Sequence, residues 1–223
     1  MASLIVLATP LIANAGGWKT TISNDFSKAS DIIDWNFNAN ALPTDYLLEN
    51  GYLELQMLQT DKGGRVISPK FQIVDNLMVT VKHYLHQGRS AYIGGIALIK
   101  DDKYIGIDFQ NSGGTGYYQE CSDYNIPRVK AVYNNAAGNC VPKSFQSATT
   151  SSSLYNHWIT TVIQYSPTTG KLTIDYENDK KVDFIGTVKK SDRFVPTNIM
   201  FTGYGWYTGH FQRIDSVKIE STE

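Results

Sequence analysis

Cysteine is scarce in this chain: its 223 residues contain two, Cys121 and Cys140. Neither belongs to a CxxC pair or a Cys/His cluster, which argues against a zinc site. They flank a loop rich in Asn, Gly and Pro. In an exported protein such a pair is most simply a disulfide; in a cytosolic one it is two thiols. The expectation is a Cys121–Cys140 bond, and closing a loop of about 20 residues contributes roughly 3 kcal/mol in the chain-entropy model. An excess of either charge is also missing. Twenty Lys and Arg face 21 Asp and Glu, for a formal net charge of −1, so nucleic acid is not an expected partner. The one sizeable apolar run, Leu4 to Ala13, is too short to span a bilayer. No stretch shows a helical period beyond a turn near Lys28 to Ile33. Gly-x-Ser-x-Gly, His-Glu-x-x-His and phosphate-cradling glycine loops are absent. His83 and His86 resemble a chelating pair, but on a strand their odd spacing sends them to opposite faces, so they read as structural.

What the chain does contain begins with a targeting pattern. The apolar run is followed by Ala13-Asn14-Ala15, which reads as a signal-peptide core and cleavage site, although Met1-Ala2-Ser3 lacks the usual basic residue. The alternative is a buried first strand broken at Pro10. The expectation is a signal-peptide remnant over residues 1–15, a single domain over 16–223, and a secreted or extracellular protein, with the periplasm as a variant.

Period-two alternation dominates the rest. Asn50-Gly51 sits between two apolar arms, the strongest short hairpin signal. "LMVTVKHYLH" sets Leu77, Val79, Val81, His83 and Leu85 against Met78, Thr80, Lys82, Tyr84 and His86. Two strands turn at Asp101-Asp102, three more are joined by turns at Pro167–Gly170 and Glu177–Lys180, and "TNIMFTGYGWYTGHFQRIDSVKIES" supplies the last two. Some dozen short strands with regular turns indicate an all-β protein, an antiparallel β-sandwich of jelly-roll type with two curved sheets.

One strand raises the question of function. "KYIGIDFQ" puts Ile105, Ile107 and Phe109 on one side and Tyr104, Gly106, Asp108 and Gln110 on the other. Asp108, Gln110 and Tyr104 could meet sugar hydroxyls, with a ring beside them for stacking; the plain alternative is a solvated strand. "GYGWYTGH" crowds Tyr204, Trp206 and His210 among glycines, where a sugar could stack on aromatic faces and approach the backbone. Trp206 packed between the sheets is the competing reading. Arg89 and Tyr92 follow a Gln-Gly pair at a strand edge and are weaker binding candidates. Glu120, beside Cys121, is the best second carboxylate should the protein be an enzyme.

The order of several pieces resembles the concanavalin A-like lectin and glucanase superfamily, laminarinase- and lichenase-type hydrolases in particular. These are "NDFS" at Asn24–Ser27 with Trp35, "LENGYLEL" at Leu48–Leu55, "GGRVISPKF" at Gly63–Phe71, "HWITTVIQYSPTTGKLTIDYEND", and "FQRIDSVKI" at Phe211–Ile219. The hydrolases of this family carry Glu-x-Asp-x-Glu on a concave strand. Retaining chemistry needs two carboxyl groups about 5–5.5 Å apart. "KYIGIDFQ", the nearest strand by order, has one carboxylate. The resemblance therefore implies a carbohydrate-binding domain acting on its concave sheet rather than a hydrolase. The alternatives are a glycosidase or polysaccharide lyase using Asp108 and Glu120 in an unusual site, and a structural or adhesive domain. The resemblance also implies a structural calcium at positions matching Asp215, Gly51 and Asp25.

Overall fold

The computed structural model describes residues 17–37, 46–57, 62–86, 92–101, 103–110, 128–134, 147–149, 156–205 and 210–222; for 57, 62–65, 92–94, 108, 110, 128–134, 147–149, 202–205 and 210 it describes the backbone alone. Among the described residues fourteen strands follow one another: β1 (Trp18–Asn24), β2 (Tyr46–Glu49), β3 (Tyr52–Met57), β4 (Lys62–Ile67), β5 (Leu77–Leu85), β6 (Tyr92–Lys100), β7 (Lys103–Gln110), β8 (Arg128–Asn134), β9 (Ser147–Thr149), β10 (Trp158–Tyr165), β11 (Lys171–Asp175), β12 (Phe184–Thr187), β13 (Asn198–Gly205) and β14 (His210–Thr222). The only described helical pieces are two 3-10 turns, Ala29–Ile32 and Lys190–Asp192, the first of them where the sequence suggests a turn.

The strands form two antiparallel sheets. Eight belong to one, ordered β12-β11-β10-β5-β14-β3-β2, with β1 also paired to β14; six belong to the other, ordered β4-β13-β6-β7-β8-β9. β5 pairs with β14 along most of its length, so β1 and β3 share the opposite edge of β14. The hairpins match the turn chemistry. Asn50 and Gly51 take φ of 53° and 76°, the left-handed pair that a two-residue connection needs to follow strand twist. Asp101 turns at φ 54° between β6 and β7.

The core lies between the sheets. In β5 each of Leu77, Val79, Val81, His83 and Leu85 is buried while the alternate residues are not, the burial that period-two patterning dictates. β7 supplies Ile105, Ile107 and Phe109, and β13 supplies Ile199 and Phe201. Trp35 stacks on Phe201 at 5.7 Å and meets Phe26 edge-on at 5.3 Å, which ties the segment after β1 to the six-stranded sheet.

Candidate functional site

The face flagged by "KYIGIDFQ" is the outer side of the six-stranded sheet. Ile105, Ile107 and Phe109 are fully buried between the sheets, so Asp108 and Gln110 belong to the other face by alternation. The register runs one row across all six strands: Arg65, Thr202, Gly95, Asp108, Lys130 and Ser147. The next row sets Tyr92 opposite Gln110 and Gln110 opposite Arg128, and Tyr204 pairs with Gly63 on β4. Asp108, Gln110, Tyr92 and Tyr204 therefore stand on one sheet. Arg128 and Lys130, in register with Gln110 and Asp108, escaped the sequence reading. Their alternation with Val129 and Ala131 was the available signal.

Two expectations need correction. Tyr104 is not on a wetted surface. It is 9% exposed and packs with Ala97, Ile99 and Met200, flanked by Ile67, because neighbouring strands bring apolar residues to the same rows. His210 does not join the Asp108 face. It opens β14 opposite Met57 in the eight-stranded sheet, since the chain changes sheets between β13 and β14. Arg89, Trp206, Glu120, Cys121 and Cys140 lie outside the described residues, as do residues 1–16.

The positions implied for calcium converge through topology. β1 ends with Asn24 opposite Val217, and β3 pairs Leu53 with Ile214, so the gap between them on the edge of β14 falls at Asp215, at a register shift. Asp25 follows β1 directly and Gly51 precedes β3. The donors are oxygen-only, as calcium prefers. The Asp215 carboxylate, however, stands 3.2 Å from Lys82 Nζ. The Asp25 carboxyl is held below its usual range by Ser27, first through the serine side chain and then through its N–H, which Asp25 Oδ1 accepts at 3.1 Å. Among the described residues, no three His, Cys, Asp or Glu side chains are grouped to hold a metal. Asp215 is thus an ion-pair partner of Lys82, which a cation at this position would have to displace.

A second surface, unforeseen from the sequence, covers the outer face of the eight-stranded sheet. The register sets Trp158, Tyr84, Arg213, Glu54 and Leu47 side by side across five strands. The Arg213 guanidinium carbon lies 4.4 Å from the Phe211 ring centroid, 4.9 Å from Tyr52 and 5.5 Å from Tyr84, within cation–π range of all three. Its Nε donates to Glu54 Oε2 at 2.7 Å, and Gln56 Nε2 donates to Glu54 Oε1 at 2.9 Å. Trp158 meets Tyr84 at 5.7 Å and Tyr52 at 5.9 Å, with Lys82 Nζ 5.6 Å from its ring. Trp158 and Leu47, at the two ends of the row, are 38% and 39% exposed. Further along the same face, a depression of about 270 Å³ opens between β5, β10 and β11. On its wall Asp175 accepts backbone N–H groups from Glu177, Asp179 and Lys180, and nearby burial, with the neighbouring carboxylates adding to it, lifts Asp183 to about 6.

Inside the sandwich two fully buried polar side chains, Gln212 and His83, carry atoms that meet no hydrogen-bond partner among the described residues. His83 Nε2 lies 2.8 Å from Thr161 Oγ1, its ring sits 5.1 Å from Phe109, and Nδ1 meets no partner. Burial holds its pKa down at about 3.

With this architecture the chain has the concanavalin A-like lectin fold: two antiparallel sheets in a jelly-roll sandwich. No family model and no curated protein matches it in sequence. Solved structures do. Peanut lectin shares 14% identity over 92% of this chain and 98% of its own, at a TM-score of 0.64. Lectin II from Ulex europaeus shares 14% over 92% and 100%, at 0.63. The exoplasmic/lumenal domain of VIP36, in a form bound to Ca2+ and Man3GlcNAc, shares 16% over 91% and 89%, at 0.59. At such identities the likeness concerns the fold.

Proposed function

We propose that the protein is a secreted, lectin-like domain that binds a glycan on the outer face of the six-stranded sheet without cleaving it. The observation that carries this reading is the row through Asp108. A carboxylate-bearing residue stands in register with Gly95 on one side and Lys130 on the other, and Gly63 pairs with Tyr204 two residues along. Glycines beside polar and aromatic positions let a sugar ring come close to the backbone while hydroxyls reach hydrogen-bonding groups. Gln110 and Tyr92, paired across β6 and β7, extend the surface, and Arg89 and Trp206 are proposed as further contacts on the strength of the sequence. The similar structures include lectins and a mannose-containing complex, and the VIP36 domain is exoplasmic or lumenal, in keeping with export of this chain. Asp108 is the single carboxylate residue on β7, where double displacement would need a partner about 5–5.5 Å away.

Calcium belongs to the same reading as a structural ion. It would take Asp215 from Lys82, with Asp25 and the Gly51 carbonyl completing an oxygen shell between β1 and β3. A second reading, a hydrolase or lyase, draws on Arg128 and Lys130 opposite Gln110 and Asp108, since a lyase needs cations to neutralise a uronate. Affinity electrophoresis in gels containing β-glucan, mannan, xylan or pectin, paired with a reducing-end assay, separates the two. Binding that Trp206→Ala weakens by about 1–3 kcal/mol, with no release of reducing ends, supports the lectin reading. Release that Asp108→Asn or Glu120→Gln abolishes overturns it.

A further inference from the structure

We propose that the outer face of the eight-stranded sheet is a second ligand surface, on which a neutral, polyhydroxylated ring of a glycan lies across the Trp158–Tyr84–Arg213–Glu54 row. This surface is separate from Asp108, which belongs to the other sheet. Tyr52, Tyr84, Trp158 and Phe211 gather on a sheet face that the second sheet does not cover, and Trp158 keeps 38% of its surface exposed. The Trp158 ring, exposed and held at 57° and 65° to Tyr52 and Tyr84, offers a single aromatic face that suits the C–H face of a sugar ring.

The charges then select the class of ligand. Arg213 is matched by Glu54 at 2.7 Å, so the centre of the row keeps little net charge with which to choose an anion or a cation. It keeps direction instead. Arg213 spends Nε on Glu54, and among the described residues its two terminal nitrogens meet no acceptor. These donors stand beside the Glu54 carboxylate and the Gln56 amide, an alternation of donors and acceptors within one aromatic frame. Vicinal hydroxyls, each both donor and acceptor, answer that pattern. A second copy of this chain answers it less well, because paired charges occupy the middle of the patch, where stable interfaces are depleted in charge.

The face also has length. From Trp158 the same side of β10 continues through Thr160 to Val162, about 13 Å by strand rise. There it reaches the depression of about 270 Å³, lined by Thr80, Val162, Gln164, Asp175 and Lys180. A chain of sugar units lying along β5 and β10 would thus have polar contacts beyond the aromatic row.

Stoichiometry tests this against the Asp108 reading. Wild type, Trp158→Ala, Trp158→Phe, Asp108→Ala and the Trp158→Ala/Asp108→Ala double variant are titrated calorimetrically with β-1,4-glucohexaose, β-1,3-glucohexaose, mannohexaose and xylohexaose. Unchanged circular dichroism establishes that the variants fold. The inference expects two sites per chain with at least one hexasaccharide. Trp158→Ala should lose one of them, with affinity there falling tenfold or more, Trp158→Phe should restore it, and Asp108→Ala should lose the other. One site lost only in Trp158→Ala supports the second surface and rejects the Asp108 face. One site lost only in Asp108→Ala does the reverse. No binding to any of the four overturns both. Concentration-dependent dimerisation that Trp158→Ala abolishes, without sugar binding, reassigns the patch to a second copy and overturns the inference.

Discussion

His83 makes the fold sensitive to acid in a way that can be isolated. Its imidazole is fully buried on the core side of β5. Thr161 Oγ1 lies at 2.8 Å from Nε2 and donates its own proton to the Tyr176 carbonyl at 3.3 Å. Nε2 is then the donor to Thr161, and Nδ1 is left with a buried lone pair that no donor meets. Protonating Nδ1 would bury an unpaired cation, so the folded pKa falls to about 3 from 6.5. The unfolded chain therefore binds the proton between pH 6.5 and about 3 while the folded chain does not, and stability drops as pH falls through that window. The slope is about 1.4 kcal/mol per pH unit, and the whole window amounts to about 5 kcal/mol, a large share of a typical domain's stability. Asp183 acts in the opposite sense. Its folded pKa of about 6 lies above the usual 3.8, so protonation below pH 6 stabilises the fold, by an amount that solvent reduces because the group is only partly buried. The test compares urea unfolding of wild type and His83→Gln, followed by tryptophan fluorescence, from pH 7 to 4. Gln can still reach Thr161 but does not titrate, and contributions from Asp183 and other carboxylates cancel in the difference. Wild-type stability should fall relative to the variant by about 1.4 kcal/mol per pH unit below 6.5. Parallel curves would refute the buried, neutral imidazole.

Further outcomes follow from single positions. Gly106→Ala should destabilise the protein by about 1–3 kcal/mol in the same assay, because an added Cβ would collide with the Ile96 carbonyl oxygen and the Ala97 backbone on β6. A tolerated alanine would show that β6 and β7 can separate without cost. Calcium should raise the thermal midpoint and a chelator lower it, with a larger shift in Lys82→Gln, where the competitor for Asp215 is gone; a hundredfold excess over Kd corresponds to about 2.7 kcal/mol. A midpoint indifferent to calcium in both proteins would leave Asp215 as an ion-pair residue of the sheet. Thiol titration of unfolded, unreduced protein made in an oxidising compartment should find none, and two reactive thiols would reject the Cys121–Cys140 bond.

Local rules carried much of the architecture. Asn50-Gly51 and Asp101 turn where short-range chemistry demands left-handed residues, and β5 buries the odd-numbered half of "LMVTVKHYLH", because strand alternation is a property of the backbone itself. His83 was likewise legible as a structural residue. The sequence did not determine which strands become neighbours, since pairing β5 with both β10 and β14 joins segments more than 70 residues apart. That choice decides the site. It surrounds Tyr104 with Ile99, Ala97 and Met200, so a residue polar at its tip is buried on a face that alternation alone labels wet. It sends His210 to the other sheet from Tyr204. It also assembles Trp158, Tyr84, Arg213 and Glu54, four residues unremarkable within their own strands, into one aromatic and hydrogen-bonding row. Only cross-strand register, which is a tertiary property, could bring them together.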